Sequence, residues 1–126
     1  TKYSYLILSL LYQGRDWKDK KYNEDHIYPQ NEFKIKNLRA KGYDDVTIEK
    51  YQACYNSILN LELLDDSENK SKNAKPFDLW LKDRDANFKE RHHIPEMNDY
   101  SLDYFLDFIK KRKALLTKQI KEFILQ

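Results

Sequence analysis

Asn60-Leu61-Glu62-Leu63-Leu64-Asp65-Asp66-Ser67-Glu68-Asn69-Lys70-Ser71-Lys72 is the stretch on which the fold turns. Leu61 to Leu64 make a short strand-like run, and Asp65-Asp66-Ser67 make a turn that feeds a helix N-terminus. Asp65 and Glu68 stand at the spacing of a capping box, in which each side chain satisfies a backbone N–H of the other. The helix is expected to run through Asn69, Lys70 and Lys72 and to stop or restart at Pro76. Phe77, Leu79, Trp80 and Leu81 then supply an apolar anchor behind it. Upstream, Asp25-His26-Ile27-Tyr28-Pro29 favours an extended backbone through Ile27 and Tyr28, and Pro29 ends it. Strand, strand and helix in this order predict a ββα unit over about residues 22–82, within a single domain covering 1–126.

The flanking segments read as helices packed around that unit. Residues 3–12 are densely apolar, and their length and Leu content predict a helix buried on most sides and stopped near Gly14. Residues 15–24 are strongly charged and predict a solvated loop. A short helical piece is expected from Glu32 to Ala40, closed by Gly42. Asp44 and Asp45 are N-cap candidates for a helix carrying Ile48, Tyr51, Tyr55 and Ile58 on one face. Ser101 to Ile124 is the clearest helix, with Leu102, Phe105, Ile109, Leu116, Ile120, Phe123 and Ile124 at helical spacing.

Composition narrows the class. Only two Gly and three Pro in 126 residues leave too few turn residues for an all-β sandwich or barrel. The fold class expected is α+β and mostly helical. Hydrophobic residues are 40% and charged residues 35%, so a core is possible under a heavily ionic surface. Ten Tyr and six Phe provide much of that core area. A net charge of +2 gives only a weak overall field, so any nucleic-acid contact has to be local. Cys54 alone excludes an internal disulfide or a Cys-pair zinc site and fits a reducing cytoplasm. No apolar run is long enough to span a membrane. Thr1 in place of Met leads to the expectation of a piece from a longer protein.

The residues with chemistry are Asp25 and His26 on the first strand, Asn60 at the entry to the second, and Asn69 on the helix. Lys70, Lys72 and Lys75 form a basic cluster beside it. Phosphodiester hydrolysis needs a water deprotonated near neutral pH, a task suited to imidazole. It also needs a cation where negative charge builds on the phosphate. Oxygen ligands from Asp25 and Asn69 suit a hard ion such as Mg²⁺ that keeps several waters. Neighbouring strand residues point to opposite faces, so Asp25 and His26 meet one pocket only if the strand end is distorted.

Asp25-His26-Ile27-Tyr28-Pro29-Gln30 and the run from Asn60 to Lys72 resemble the two halves of the HNH, or His-Me finger, nuclease motif. They are similar to the HNH domain of RNA-guided CRISPR nucleases, including the nine-residue step from Asn60 to Asn69. The resemblance is closer to the C-terminal nuclease domain of GmrSD-type modification-dependent restriction enzymes. There Lys75-Pro76-Phe77-Asp78-Leu79-Trp80-Leu81, His93-Ile94-Pro95 and Phe108-Ile109-Lys110-Lys111-Arg112 also match. The resemblance implies a ββα-metal core, His26 as general base, Asp25 and Asn69 as ligands of Mg²⁺ (Mn²⁺ or another divalent ion being alternatives), and Asn60 bracing the loop that bears His26. It implies DNA as substrate, with Lys72 near its phosphate and Lys70 and Lys75 beside it, cleaved to a 5′-phosphate and a 3′-hydroxyl. It also implies a role in restriction of foreign or modified DNA, a nucleotide-using N-terminal domain elsewhere in the protein, and the possibility of an oligomer. Asn69 stands where the commonest pattern has His, which weakens transition-metal binding more than Mg²⁺ binding. The alternatives are a catalytically silent nucleic-acid-binding or regulatory module and an RNA-cleaving relative.

Other features take plainer readings. His92 and His93 stand far along the chain and read as structural or surface residues. Most tyrosines read as core, and Cys54 reads as a buried spacer. Lys110 to Lys113 read equally as a solvated stripe or as a contact to the DNA backbone.

Overall fold

The structure is a computed structural model that describes residues 4–12 and 21–125. Its centre is an antiparallel hairpin of β1 (Tyr22–His26) and β2 (Leu61–Asp65), in which Asp25 pairs with Glu62 and His26 with Leu61. The ladder continues past the strand end, where Ile27 N–H donates to the Asn60 carbonyl at 2.8 Å. β1 therefore begins inside the tract expected to be a solvated loop. Tyr22 is the cause, because it is buried with Leu8, Tyr12, Leu61 and Leu63 and ties its segment to the sheet. Positions 15–20 of that expected loop lie outside the described residues.

α4 (Asp66–Lys72) leaves β2 without a loop. The expected capping box is present: the Asp65 carboxylate accepts from Glu68 N–H at 2.8 Å and the Glu68 carboxylate accepts from Asp65 N–H. Asp65 thereby reverses the chain and directs α4 back onto both strands. Asn73, with a φ of 47°, ends the helix, and Pro76 starts α5 (Phe77–Lys82).

The sheet is covered on both faces. On one side α1 (Ser4–Leu11) contributes Leu8, and Tyr12 follows it, to the small core over Leu61 and Leu63. The helix is where the sequence places it, but it is not buried on most sides. Tyr5, Leu6, Ile7 and Leu10 are exposed, because α1 packs along one edge only. The larger core lies beneath Ile27 and Tyr28. The Tyr28 ring lies 5.1 Å from Phe77, 5.1 Å from Phe105 and 5.0 Å from Phe108, in tilted or edge-on arrangements favoured by aromatic quadrupoles.

The surrounding helices have local causes. The expected helical piece is a 3₁₀ turn (Gln30–Phe33) followed by α2 (Ile35–Ala40), and Gly42 closes it with a φ of +93°. Asp44 caps α3 (Asp45–Cys54) by accepting from Thr47 N–H at 2.8 Å. Ile48 and Tyr51 face the core; Tyr55 follows α3 and is half-buried, while Ile58 belongs to a 3₁₀ turn that enters β2. Cys54 is half-buried rather than fully so. After the short α6 (Phe88–Arg91), a 3₁₀ turn at Leu102–Tyr104 leads into α7 (Phe105–Ile124). The expected apolar stripe holds in its first half through Phe105, Ile109 and Leu116, whereas Phe123 and Ile124 are exposed. No helix among the described residues is long and apolar enough to cross a membrane.

One charged side chain joins these layers. Arg112, on the inner face of α7, is fully buried and donates to the carbonyls of Ile58, Leu59, Leu61, His92 and His93 at 2.7–3.3 Å. The planar fork suits this task, since its five N–H groups reach several carbonyls without moving. Arg112→Met is expected to lower unfolding stability by about 3 kcal/mol or more, because buried carbonyls lose their donor. Urea titration followed by circular dichroism measures this; a loss below about 1 kcal/mol would contradict the role.

Candidate active site

Strand alternation separates Asp25 from His26. Asp25 turns towards α4 and the opposite strand, while His26 turns towards the chain between α3 and β2. On Asp25's side, the Lys72 ammonium lies 2.7 Å from Asp25 Oδ2 and donates to the His26 carbonyl at 2.6 Å. The approach to Asp25 is close but poorly directed, an ion pair more than a hydrogen bond. Glu62, opposite Asp25 in the ladder, is fully buried and lies 4.0 Å from the same ammonium through Oε2. Burial pushes the Glu62 carboxyl well above the usual carboxylate range; Lys72 opposes the shift and Asp25 adds to it.

Lys72 thus departs from the expectation that grouped it with Lys70 and Lys75 facing phosphate. Its side chain has no solvent exposure, because the face of α4 that packs on the hairpin is the one that carries it. Lys70 and Lys75 are exposed, and the Lys75 ammonium lies 6.0 Å from the centre of the Trp80 ring. Asn69 is half-buried and stands one turn before Lys72, so both belong to the same face of α4. The capped turn therefore brings the Asn69-bearing helix to the strand that carries Asp25.

On the other side, the His26 ring stacks on Tyr55 with centroids 6.3 Å apart, and Nε2 lies 2.8 Å from Asn56 Oδ1. An amide oxygen only accepts, so Nε2 is the donor in this contact. Asn60 fixes this region from beneath. Its amide is fully buried, accepting from Tyr28 N–H at 2.9 Å and donating to the Tyr28 and Tyr55 carbonyls at 3.1 and 2.8 Å. The same side chain thus ties the backbone just after His26 to that of the residue stacked on its ring.

With this geometry in view, comparison with known families is specific. The family described as GmrSD restriction endonucleases, C-terminal domain, matches residues 2–119. The chain belongs to that family. No curated protein matches it. Membership in the GmrSD C-terminal family points to a restriction endonuclease role, and the α+β, mostly helical architecture agrees with the class expected from composition.

Three residues of this GmrSD-type domain have a part in the structure that the sequence reading does not assign them. Glu62 was passed over as part of a strand, yet its place among Leu61, Leu63 and Leu64 was a sign that both strand faces are covered. Asn56 sits in an irregular connection with no local signal. Arg112 was lost in the Lys110 to Lys113 charge run, although it falls three residues after Ile109 and four before Leu116, on the apolar face. Lys110, Lys111 and Lys113 are the exposed members of that run. His92 and His93 pack structurally: His92 is fully buried with Nδ1 2.8 Å from the Tyr12 hydroxyl, and His93 Nε2 lies 2.7 Å from the Leu11 carbonyl.

Removing the Asn60 brace is expected to be costly in the folded state. Asn60→Ala leaves three backbone groups of Tyr28 and Tyr55 without their partner and is predicted to lower stability by about 2–3 kcal/mol. Differential scanning calorimetry reads this as a lower Tm, and an unchanged Tm would show that Asn60 braces nothing.

Proposed function

We propose that the domain is a metal-dependent endonuclease of the HNH type that hydrolyses DNA phosphodiester bonds. The observation that carries this reading is the junction of β1 and α4, where the helix bearing Asn69 is held against the strand bearing Asp25 and His26. Family membership supports the nuclease chemistry, and the β1–β2–α4 order supports the ββα-metal assignment.

The donor set fits a hard, hydrated divalent ion. Asp25 Oδ2 is buried without a directed hydrogen-bond donor and draws the Lys72 ammonium to 2.7 Å, so it is a carboxylate that attracts a cation. A carboxylate and an amide oxygen suit Mg²⁺, which binds through one or two side chains and keeps its waters. Asp25 and Asn69 would hold the ion. When bound, it supplies positive charge to the phosphate oxygens as negative charge builds there.

The chain's own residues perform the remaining work. His26 Nδ1 takes the proton of the attacking water, while the Nε2–H···Asn56 bond and the Tyr55 ring hold the imidazole in place. Asn60 keeps the backbone on either side of this assembly fixed. Lys70 and Lys75, both exposed cations, would meet the DNA backbone. Cleavage would leave a 5′-phosphate and a 3′-hydroxyl, and the biological setting would be restriction of foreign or modified DNA.

His26→Ala is expected to reduce nicking of supercoiled plasmid in Mg²⁺ by about a hundredfold or more, with the Tm unchanged. Chelator is expected to abolish nicking by the unsubstituted protein, and duplex DNA is expected to be cut in preference to RNA. Equal rates for His26→Ala and the unsubstituted protein would remove His26 as the base. Absence of metal-dependent nicking would favour a silent binding module instead.

A further inference from the structure

The buried lysine is unexplained by hydrolysis alone. A fully enclosed ammonium is costly, and it is retained here among groups that it satisfies incompletely. Lys72 Nζ lies 2.7 Å from Asp25 Oδ2, 2.6 Å from the His26 carbonyl and 4.0 Å from Glu62 Oε2. Asp25 Oδ2 and both Glu62 oxygens receive no directed hydrogen bond, and His92 Nδ1 also lies 3.5 Å from Glu62 Oε1. The Asp25 carboxylate is short of donors.

We propose that Lys72 is a resident counter-ion that closes the Asp25 carboxylate, and that a divalent cation opens the site by displacing it. This rests on the reading of Asp25 as a metal ligand. A hydrated divalent ion brings more charge than an ammonium, and its waters supply donors that the Glu62 oxygens lack. The two cations compete for the same oxygen, so Lys72 sets a threshold for metal entry.

The position of Lys72 allows the exchange. It is the last residue of α4, followed by Asn73 with a φ of 47° and then by exposed Ala74 and Lys75. Its long flexible stem at a helix end lets the ammonium swing out without breaking an internal turn. Once released, the ammonium joins Lys70 and Lys75 on the side open to a phosphate. Asp25 and the His26 carbonyl are what hold Lys72 in when metal is absent.

Two measurements on the folded protein test this with Mn²⁺ as probe. Electron paramagnetic resonance of free Mn²⁺ gives the affinity, and mass spectrometry gives acylation of Lys72 relative to Lys70 and Lys75. In chelator, Lys72 is expected to be strongly protected; at saturating Mn²⁺ its modification should rise towards that of its two neighbours. Lys72→Gln is expected to bind Mn²⁺ roughly tenfold more tightly, since the competing charge is gone. Asp25→Asn is expected to bind weakly and to leave Lys72 unresponsive to Mn²⁺. If Mn²⁺ binds through Asp25 while Lys72 stays protected, the displacement is overturned and the metal reading survives. If no Mn²⁺ binds, both fall. Should Lys72→Gln fail to fold, the protection measured on the unsubstituted protein decides alone.

Discussion

An ammonium group removed from water must find negative charge and hydrogen-bond acceptors, or its helix cannot stay where it is. Lys72 meets that condition through Asp25 and the His26 carbonyl, both on β1, with Glu62 of β2 nearby. The contact thereby fixes the angle at which α4 lies across the hairpin. It depends in turn on the Asp65–Glu68 capping box, which reverses the chain between β2 and α4. That box, with the packing of α4 on both strands, sets where Asn69 stands relative to Asp25.

The same economy of polar contacts runs through the strand entry. β2 is covered on both faces, so the carbonyls of Ile58, Leu59 and Leu61 have no access to a full complement of water. Arg112 reaches them from α7. Asn60, lying between these residues in sequence, turns the opposite way and serves Tyr28 and Tyr55. One short segment thus anchors the terminal helix and shapes the surroundings of His26. Asp25 and His26 keep the opposite orientations that a strand imposes, so the strand itself divides a carboxylate side from an imidazole side. The proposed hydrolysis needs both sides to meet one phosphate at the strand end, with charge stabilisation from Asp25's side and proton removal from His26's.

Features governed by local chemistry were legible in the sequence. The caps at Asp44 and Asp65, the β2 strand, the break at Pro76 and the first half of the terminal helix depend on side chains within a few positions of the backbone they satisfy. The family was legible through the order and spacing of the motif residues. Burial of charge was not, because composition makes Lys72 and Arg112 look like parts of solvated runs, and only the direction of α4 and α7 reveals which member of each run turns inward. The exposed face of α1 was misread for the complementary reason. An apolar run states what a segment can bury, and the neighbours it meets decide how much of it is buried. β1 starts three residues before Asp25, since Tyr22 pairs with Asp65 in the sheet and is held by a core contributed from α1.

The central claim is that Asp25 and Asn69 serve one ion beside His26, within the junction that Lys72 now closes. Anomalous diffraction from crystals of the protein soaked in Mn²⁺ tests it most directly. The account predicts a single strong peak bonded to Asp25 Oδ and to the Asn69 amide oxygen, with the Lys72 ammonium moved away from Asp25. A peak bound elsewhere, or an ion at Asp25 that Asn69 does not touch, would contradict it.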